Sequence, residues 1–274
     1  MMIEFTLLRL ATLLYLAATI AALASLVARR ELPRQVMPGL LLLGLVTHAA
    51  SIALHSVHAG HLAVTTLAEA LSFLALLMVA LFLVLQLRRP LLALGAVVSP
   101  LAFGMALGAD VIYQGARPLP LALQSVWLPV HVGLAILGDA IFALASSASL
   151  LYLVQERRLK AHRGGRMLRG LPSLETLDRL NYTLLVWGLV LLTLGIVTGI
   201  VWAHSAWGSP WSSDPKLIFS LATWGIYVIL LQGRMSAGWR GRWAAQLTIA
   251  GFAVIVVSLV SVNLLGLGLH GGTF

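Results

Sequence analysis

The 274-residue sequence contains no cysteine. That excludes disulfides, thiolate metal ligands, thioether attachment and thiol redox chemistry by this chain alone. Any metal or metal cofactor it handles must be held by His, Met, Tyr or carboxylate. Charge is also scarce. Only 10% of the residues are Asp, Glu, Lys or Arg, where an ordinary globular domain carries about a quarter. The shortfall leaves no large soluble domain to assign, and residues 1–274 read as one integral membrane domain. Acids are scarcest, nine against eighteen bases, for a net charge of +9. The excess is not a nucleic-acid footprint, because the bases sit in short connections between apolar runs.

What the chain has in quantity is apolar surface, at 60% hydrophobic residues. Long runs with almost no charge recur throughout, which is the pattern of helices crossing a bilayer. The fold class is therefore all-α and polytopic. Eight spans are predicted, at about 6–28, 36–57, 62–87, 91–108, 126–154, 183–203, 217–232 and 243–269. The first stretch, about Thr6 to Ala28, is too long for a signal-peptide core and has no basic flank before it, so it reads as a retained span.

Fifteen of the eighteen Lys and Arg fall in the connections after spans 1, 3, 5 and 7, leaving Arg9, Arg117 and Lys216 on the other side. The positive-inside rule then predicts a multi-pass protein of the bacterial inner membrane, with both termini and the loop after span 6 on the periplasmic side. The loop between spans 5 and 6 holds seven of those bases and reads as a solvated anchor near anionic headgroups. Within it Ser173 is a candidate N-cap, with Glu175 and Asp178 in the early turns, and this predicts a short interfacial helix before span 6.

Four of the eight tryptophans lie between Trp202 and Trp224, in the sequence WAHSAWGSPWSSDPKLIFSLATW. One or two Trp at a membrane surface form an ordinary aromatic belt. Trp207, Gly208, Pro210, Trp211, Asp214, Pro215 and Lys216 in one loop point instead to a shelf for a flat, apolar ligand. Ionisable residues inside the spans are few and expensive in lipid. His48 sits mid-span in the second, and Glu69 in the outer third of the third. His131 and Asp139 share a face of the fifth, and Asn263 and His270 a face of the eighth. Asp139 can pair with His48 or orient a ligand histidine. His131 and His270 are predicted at one depth beside the Trp loop. Two imidazoles so placed suit the axial positions of an iron porphyrin; each taken singly also reads as a helix–helix hydrogen bond. His55, His58 and His61, in HSVHAGH, have spacing compatible with a divalent metal but no carboxylate nearby in sequence.

WGSPWSSDPK resembles the tryptophan-rich haem-handling motif of the cytochrome c assembly superfamily, which includes the CcsA, CcmC and HemX families. Trp207, Gly208, Trp211, Asp214, Pro215 and Lys216 match the motif. Ser213 stands where a third Trp is usual, and Leu217 where an acid commonly follows the Lys. LPVHVGLAILGDAIFALA around His131 and VNLLGLGLH ending at His270 resemble the family's helices that carry its external haem ligands. GLVTHAASIAL around His48 resembles its intramembrane histidine helix, and SAGWRGRWAAQL is similar to the YpjD/HemX-like branch. The resemblance implies non-covalent haem b at the outer face, with His131 and His270 as axial ligands, Trp202, Trp207 and Trp211 against the macrocycle, and Asp214 and Lys216 at its polar edge. It implies that His48 contributes to a second, intramembrane haem site, although Gln232 stands where a partner histidine is usual. It implies haem delivery or holding for cytochrome c biogenesis or related haem traffic, in which this chain need not make any bond and is at most part of a haem lyase system, with a separate assembly partner carrying a periplasmic domain. The other reading, which Ser213 and Gln232 favour, is a regulatory, partner-binding or metal-ion-handling membrane subunit that keeps this fold.

Overall fold

The computed structural model describes residues 2–28, 31–88, 91–113, 115, 125–161, 171–207 and 214–264. These form eight α-helices: α1 (Met2–Ala28), α2 (Glu31–Ala59), α3 (Leu67–Arg88), α4 (Gly95–Ile112), α5 (Trp127–Lys160), α6 (Leu174–Trp207), α7 (Pro215–Ser236) and α8 (Arg242–Leu264). A single 3₁₀ turn, Leu92–Leu94, leads into α4. All eight helices are long and apolar enough to cross a membrane. The chain is a multi-pass membrane protein, as its hydropathy predicts. Large apolar side chains such as Leu13 and Trp187, each about 60% exposed, face outward, where lipid rather than water is the compatible solvent.

Successive helices run antiparallel. The start of α1 meets the end of α2 through Glu4 and His58, and the end of α2 meets the start of α3 through His55 and Glu69. One end of the bundle therefore collects the starts of α1, α3, α5 and α7 and the ends of the others; we term it the tryptophan end. The opposite, arginine end holds Arg157, Arg158, Lys160, Arg234, Arg240 and Arg242 at or beside the ends of α5 and α7 and the start of α8.

Helices α1 to α4 pack into one half and α5 to α8 into another, joined mainly where α3 lies along α5. Small residues allow close approach in the second half. At Gly188 of α6 an added Cβ would stand 2.5 Å from the ring of Phe142, and at Gly251 of α8 it would stand 2.7 Å from Tyr227. Those two rings stack at 4.0 Å in the space the glycines leave. Beside them Asn181 donates its amide to Ser149 and Thr248, which fixes α6 against α5 and α8. At the arginine end Asp178 accepts from both terminal nitrogens of Arg234 and from the Gly241 amide. That joins α6, α7 and the turn before α8.

Two expectations about elements change. Ser173 does cap a helix, its hydroxyl accepting from the Thr176 amide at 3.1 Å, but that helix is α6 itself, which runs unbroken for 34 residues. Among the described residues no separate interfacial helix precedes it; the Asp178–Arg234 contact holds the first turns of α6 in the bundle. The break between spans 6 and 7 is also shorter than expected. Trp202 lies inside α6, Trp207 ends it, and Trp224 lies inside α7, where its indole N–H donates to Thr193 of α6.

Candidate functional site

The Asp214-Pro215-Lys216 sequence starts α7. Asp214 has extended backbone and accepts from the Lys216 amide at 2.9 Å, and Pro215 takes the first helical position. An N-cap acid followed by proline is a strong start signal, because proline has no amide hydrogen to waste in the first turn. Asp214 is buried all the same. Its backbone role leaves it facing a cavity between α5, α6, α7 and α8.

That cavity is open on one side and leaves about 110 Å³ for the centre of a water-sized sphere. Its walls are mostly apolar, from residues such as Leu192, Ile196, Ile200, Phe219 and Leu259. Polar groups enter at few places. His131, Ala135 and Asp139 form one wall at i, i+4 and i+8 of α5, as the spacing predicts. Asp214 and Lys216 come from α7. The Lys216 ammonium is attracted by both the Asp139 and Asp214 carboxylates.

His131 is the most constrained of these groups. Its Nδ1 lies 2.8 Å from the Gly195 carbonyl oxygen. A carbonyl only accepts, so Nδ1 carries the hydrogen, which places the lone pair on Nε2, the form in which a histidine ligates metal. The ring lies parallel to the Trp202 indole, 8° between planes and 6.0 Å between centroids. Gly199 makes this possible: a Cβ there would stand 2.6 Å from His131 Cε1. The glycines at 195 and 199 thus pack α6 onto α5 within the chain.

His131, Trp202, Asp214 and Lys216 are brought together in this cavity. Trp207 closes α6, while Trp211, Ser213 and His270 lie outside the described residues. His48 is elsewhere. It is fully buried in the first half, its ring nitrogens engaged by Tyr15 at 3.2 Å and Ser72 at 2.8 Å. Of the two roles open to Asp139, the pairing with His48 is not formed, because the two lie in different halves of the bundle. Gln232 is exposed on α7 and does not face His48. His55 and His58 do have carboxylate partners, Glu69 and Glu4, supplied by other helices rather than by neighbouring sequence. Among the described residues no group of three or more His, Asp or Glu could hold a metal ion. The GxxxG spacing of Gly195 and Gly199 marks them as helix-packing positions, and they do pack against α5, whereas spacing gives no signal for Glu4 and Tyr113.

Comparison with known proteins identifies the family. Residues 64–270 match the model of the cytochrome C assembly protein family. The chain is 35% identical over 236 residues to a cytochrome c biogenesis protein CcsA of Synechococcus sp. (strain CC9605), covering 77% of this chain and 78% of that protein. It is 36% identical over 222 residues to the CcsA of Chlamydomonas reinhardtii, covering 78% of this chain and 62% of that one. In fold it is similar to a solved cytochrome c haem lyase, CcmF, with a TM-score of 0.70 at 16% identity, covering 94% of this chain and 46% of that one. With the matched segment spanning α3 to the end of α8, the chain belongs to the cytochrome C assembly protein family.

Proposed function

We propose that this chain binds haem in the cavity between α5 and α8 and handles it for cytochrome c biogenesis. The carrying observation is His131, held beside a largely apolar cavity by the Gly195 carbonyl and lying parallel to Trp202. The residues present suit the group: the walls are mostly apolar, the aromatic face is flat, and the charged side chains are few, namely Asp139, Asp214 and Lys216. Haem would supply an iron that imidazole nitrogen can ligate. His131 would hold it through Nε2, and His270 is the proposed second ligand. Trp202, Trp207 and Trp211 would pack on its faces, with Lys216 and Asp214 meeting its polar edge. The group is taken as non-covalently bound haem b. His48, with both ring nitrogens engaged, is not needed for this reading.

The chain's own residues then bind, orient and exclude water. The Gly195 carbonyl keeps the His131 proton on Nδ1, Asp139 offsets the Lys216 charge, and Leu192, Ile196 and Ile200 keep the cavity dry. Attachment to an apocytochrome would occur on the acceptor's cysteines, with a partner that supplies a periplasmic domain. The membrane is taken as the bacterial inner membrane, with the tryptophan end facing the periplasm.

The test is spectroscopic. Protein purified in mild detergent from haem-replete cells is expected to carry near-stoichiometric haem by the pyridine haemochrome assay. His131→Ala and His270→Ala should each lower haem content or change the visible spectrum. A double variant with full haem and an unchanged spectrum would remove the ligand assignment.

A further inference from the structure

The first half of the bundle holds a second cavity, also at the tryptophan end, that shares no residue with the first. Around it five titratable side chains from four places in the chain are joined in series. His58, half exposed, is bonded through Nδ1 to Glu4 Oε2. Glu4 Oε1 lies 3.1 Å from the Tyr113 hydroxyl, and that hydroxyl lies 2.8 Å from His55 Nδ1. His55 Nε2 lies 2.9 Å from Glu69 Oε1. The other Glu69 oxygen accepts from the Thr65 and Thr66 amides and the Thr65 hydroxyl. Glu4 and Glu69 are nearly inaccessible to solvent, at 1% and 5% exposure. The cavity between them leaves about 20 Å³ for the centre of a water-sized sphere, somewhat more than the roughly 10–15 Å³ that one water needs.

Two buried carboxylates and a buried imidazole at the edge of a bilayer are costly, and a latch between helices does not require them. A series of donors and acceptors with two alternative proton arrangements does. In one arrangement His55 is an imidazolium, its Nδ1–H donating to the Tyr113 oxygen while Tyr113 donates to a Glu4 carboxylate. In the other, the Nδ1 proton has moved to the Tyr113 oxygen and the tyrosine's own proton to Glu4, leaving neutral His55 and a Glu4 carboxyl. The proton count is the same in both, and no heavy atom need travel. The same hop works at either end. Glu4 exchanges its proton with His58, which meets water, and the His55 Nε2 proton passes to Glu69. Burial and the bond to Glu4 push the Tyr113 hydroxyl above its ordinary value, so it passes protons on without giving up its own to bulk water. The neighbouring charges on α1 and α4, Arg9 and Asp110, are paired with each other.

We propose that His58, Glu4, Tyr113, His55 and Glu69 form a proton relay between the surface at the tryptophan end and the buried cavity at Glu69. Glu4, His55 and His58 precede residue 64, where the family match begins, while Glu69 and Tyr113 lie within it. It is independent of the haem reading.

The test is time-resolved infrared spectroscopy of the full chain in lipid nanodiscs after a light-triggered proton release. A carboxyl band that titrates in the wild type and is missing in Glu69→Gln marks the end of the relay. Tyr113→Phe should keep that band at equilibrium but slow its appearance about tenfold or more, and His58→Gln should slow it likewise. If Tyr113→Phe fails to fold, the exposed His58 site carries the comparison alone. No titrating band assigned to Glu69, or unchanged rates in the folded variants, overturns the relay and leaves the cluster a structural latch.

Discussion

At position 199 a single hydrogen stands where any other residue would put a carbon against His131. Gly199→Ala would force the imidazole away from both the Gly195 carbonyl and Trp202. Haem retention is expected to weaken about tenfold, as for loss of a group that orients a metal ligand, and the visible spectrum of the bound haem should change. Gly104→Ala is the control, since a Cβ there meets nothing within 4 Å. Asp214 separates two roles that the motif merges. As the α7 cap it should cost about 1 kcal/mol of stability when changed to Ala, and little when changed to Asn, which caps equally well. Thermal melts of the two variants read the cap. Haem content read beside them shows whether the carboxylate charge has a second use, because Asn restores the cap but not the charge.

The elements α5 and α6 are built to lie close, and the cost of disturbing them depends on where. Asp178 holds Arg234, which is only 9% exposed, so Asp178→Ala leaves a buried cation without its carboxylate. A loss of about 3 kcal/mol or more is expected, read as a lowered melting temperature in detergent with Glu175→Ala, at the exposed start of the same helix, as the near-neutral comparison. The helices themselves were legible in the sequence. Hydropathy marks the spans because lipid demands apolar surface all round, and Asp214-Pro215 marks a helix start by local chemistry alone. The first turns of α6 were not legible, because what holds them is Arg234, 56 residues away. Glu4 and Tyr113 escaped for the same reason: their contact joins residues 109 apart, and no periodicity encodes which helices are neighbours. His131 and Asp139 were legible because their relation lies within one helix.

For the whole molecule, the lack of cysteine becomes an experimental advantage. A single thiol introduced anywhere is the only one present. Ser125→Cys, just before α5, is expected to react with a membrane-impermeant maleimide added to intact cells with a permeable outer membrane. Ala237→Cys, between α7 and α8, should react only after the inner membrane is opened. The reverse pattern would invert the proposed orientation, and with it the side on which haem is presented.

The division into two halves has a thermodynamic consequence. The two cavities share no lining residue and no helix, and their halves meet mainly through the seam of α3 on α5. Perturbations at sites without common partners usually add, to within about 0.5 kcal/mol. Tyr113→Phe and Gly199→Ala should therefore combine without interaction in stability. Any excess in the double variant is then a direct measure of how much free energy passes across that seam, and so of how far proton occupancy in one half can bias ligand affinity in the other.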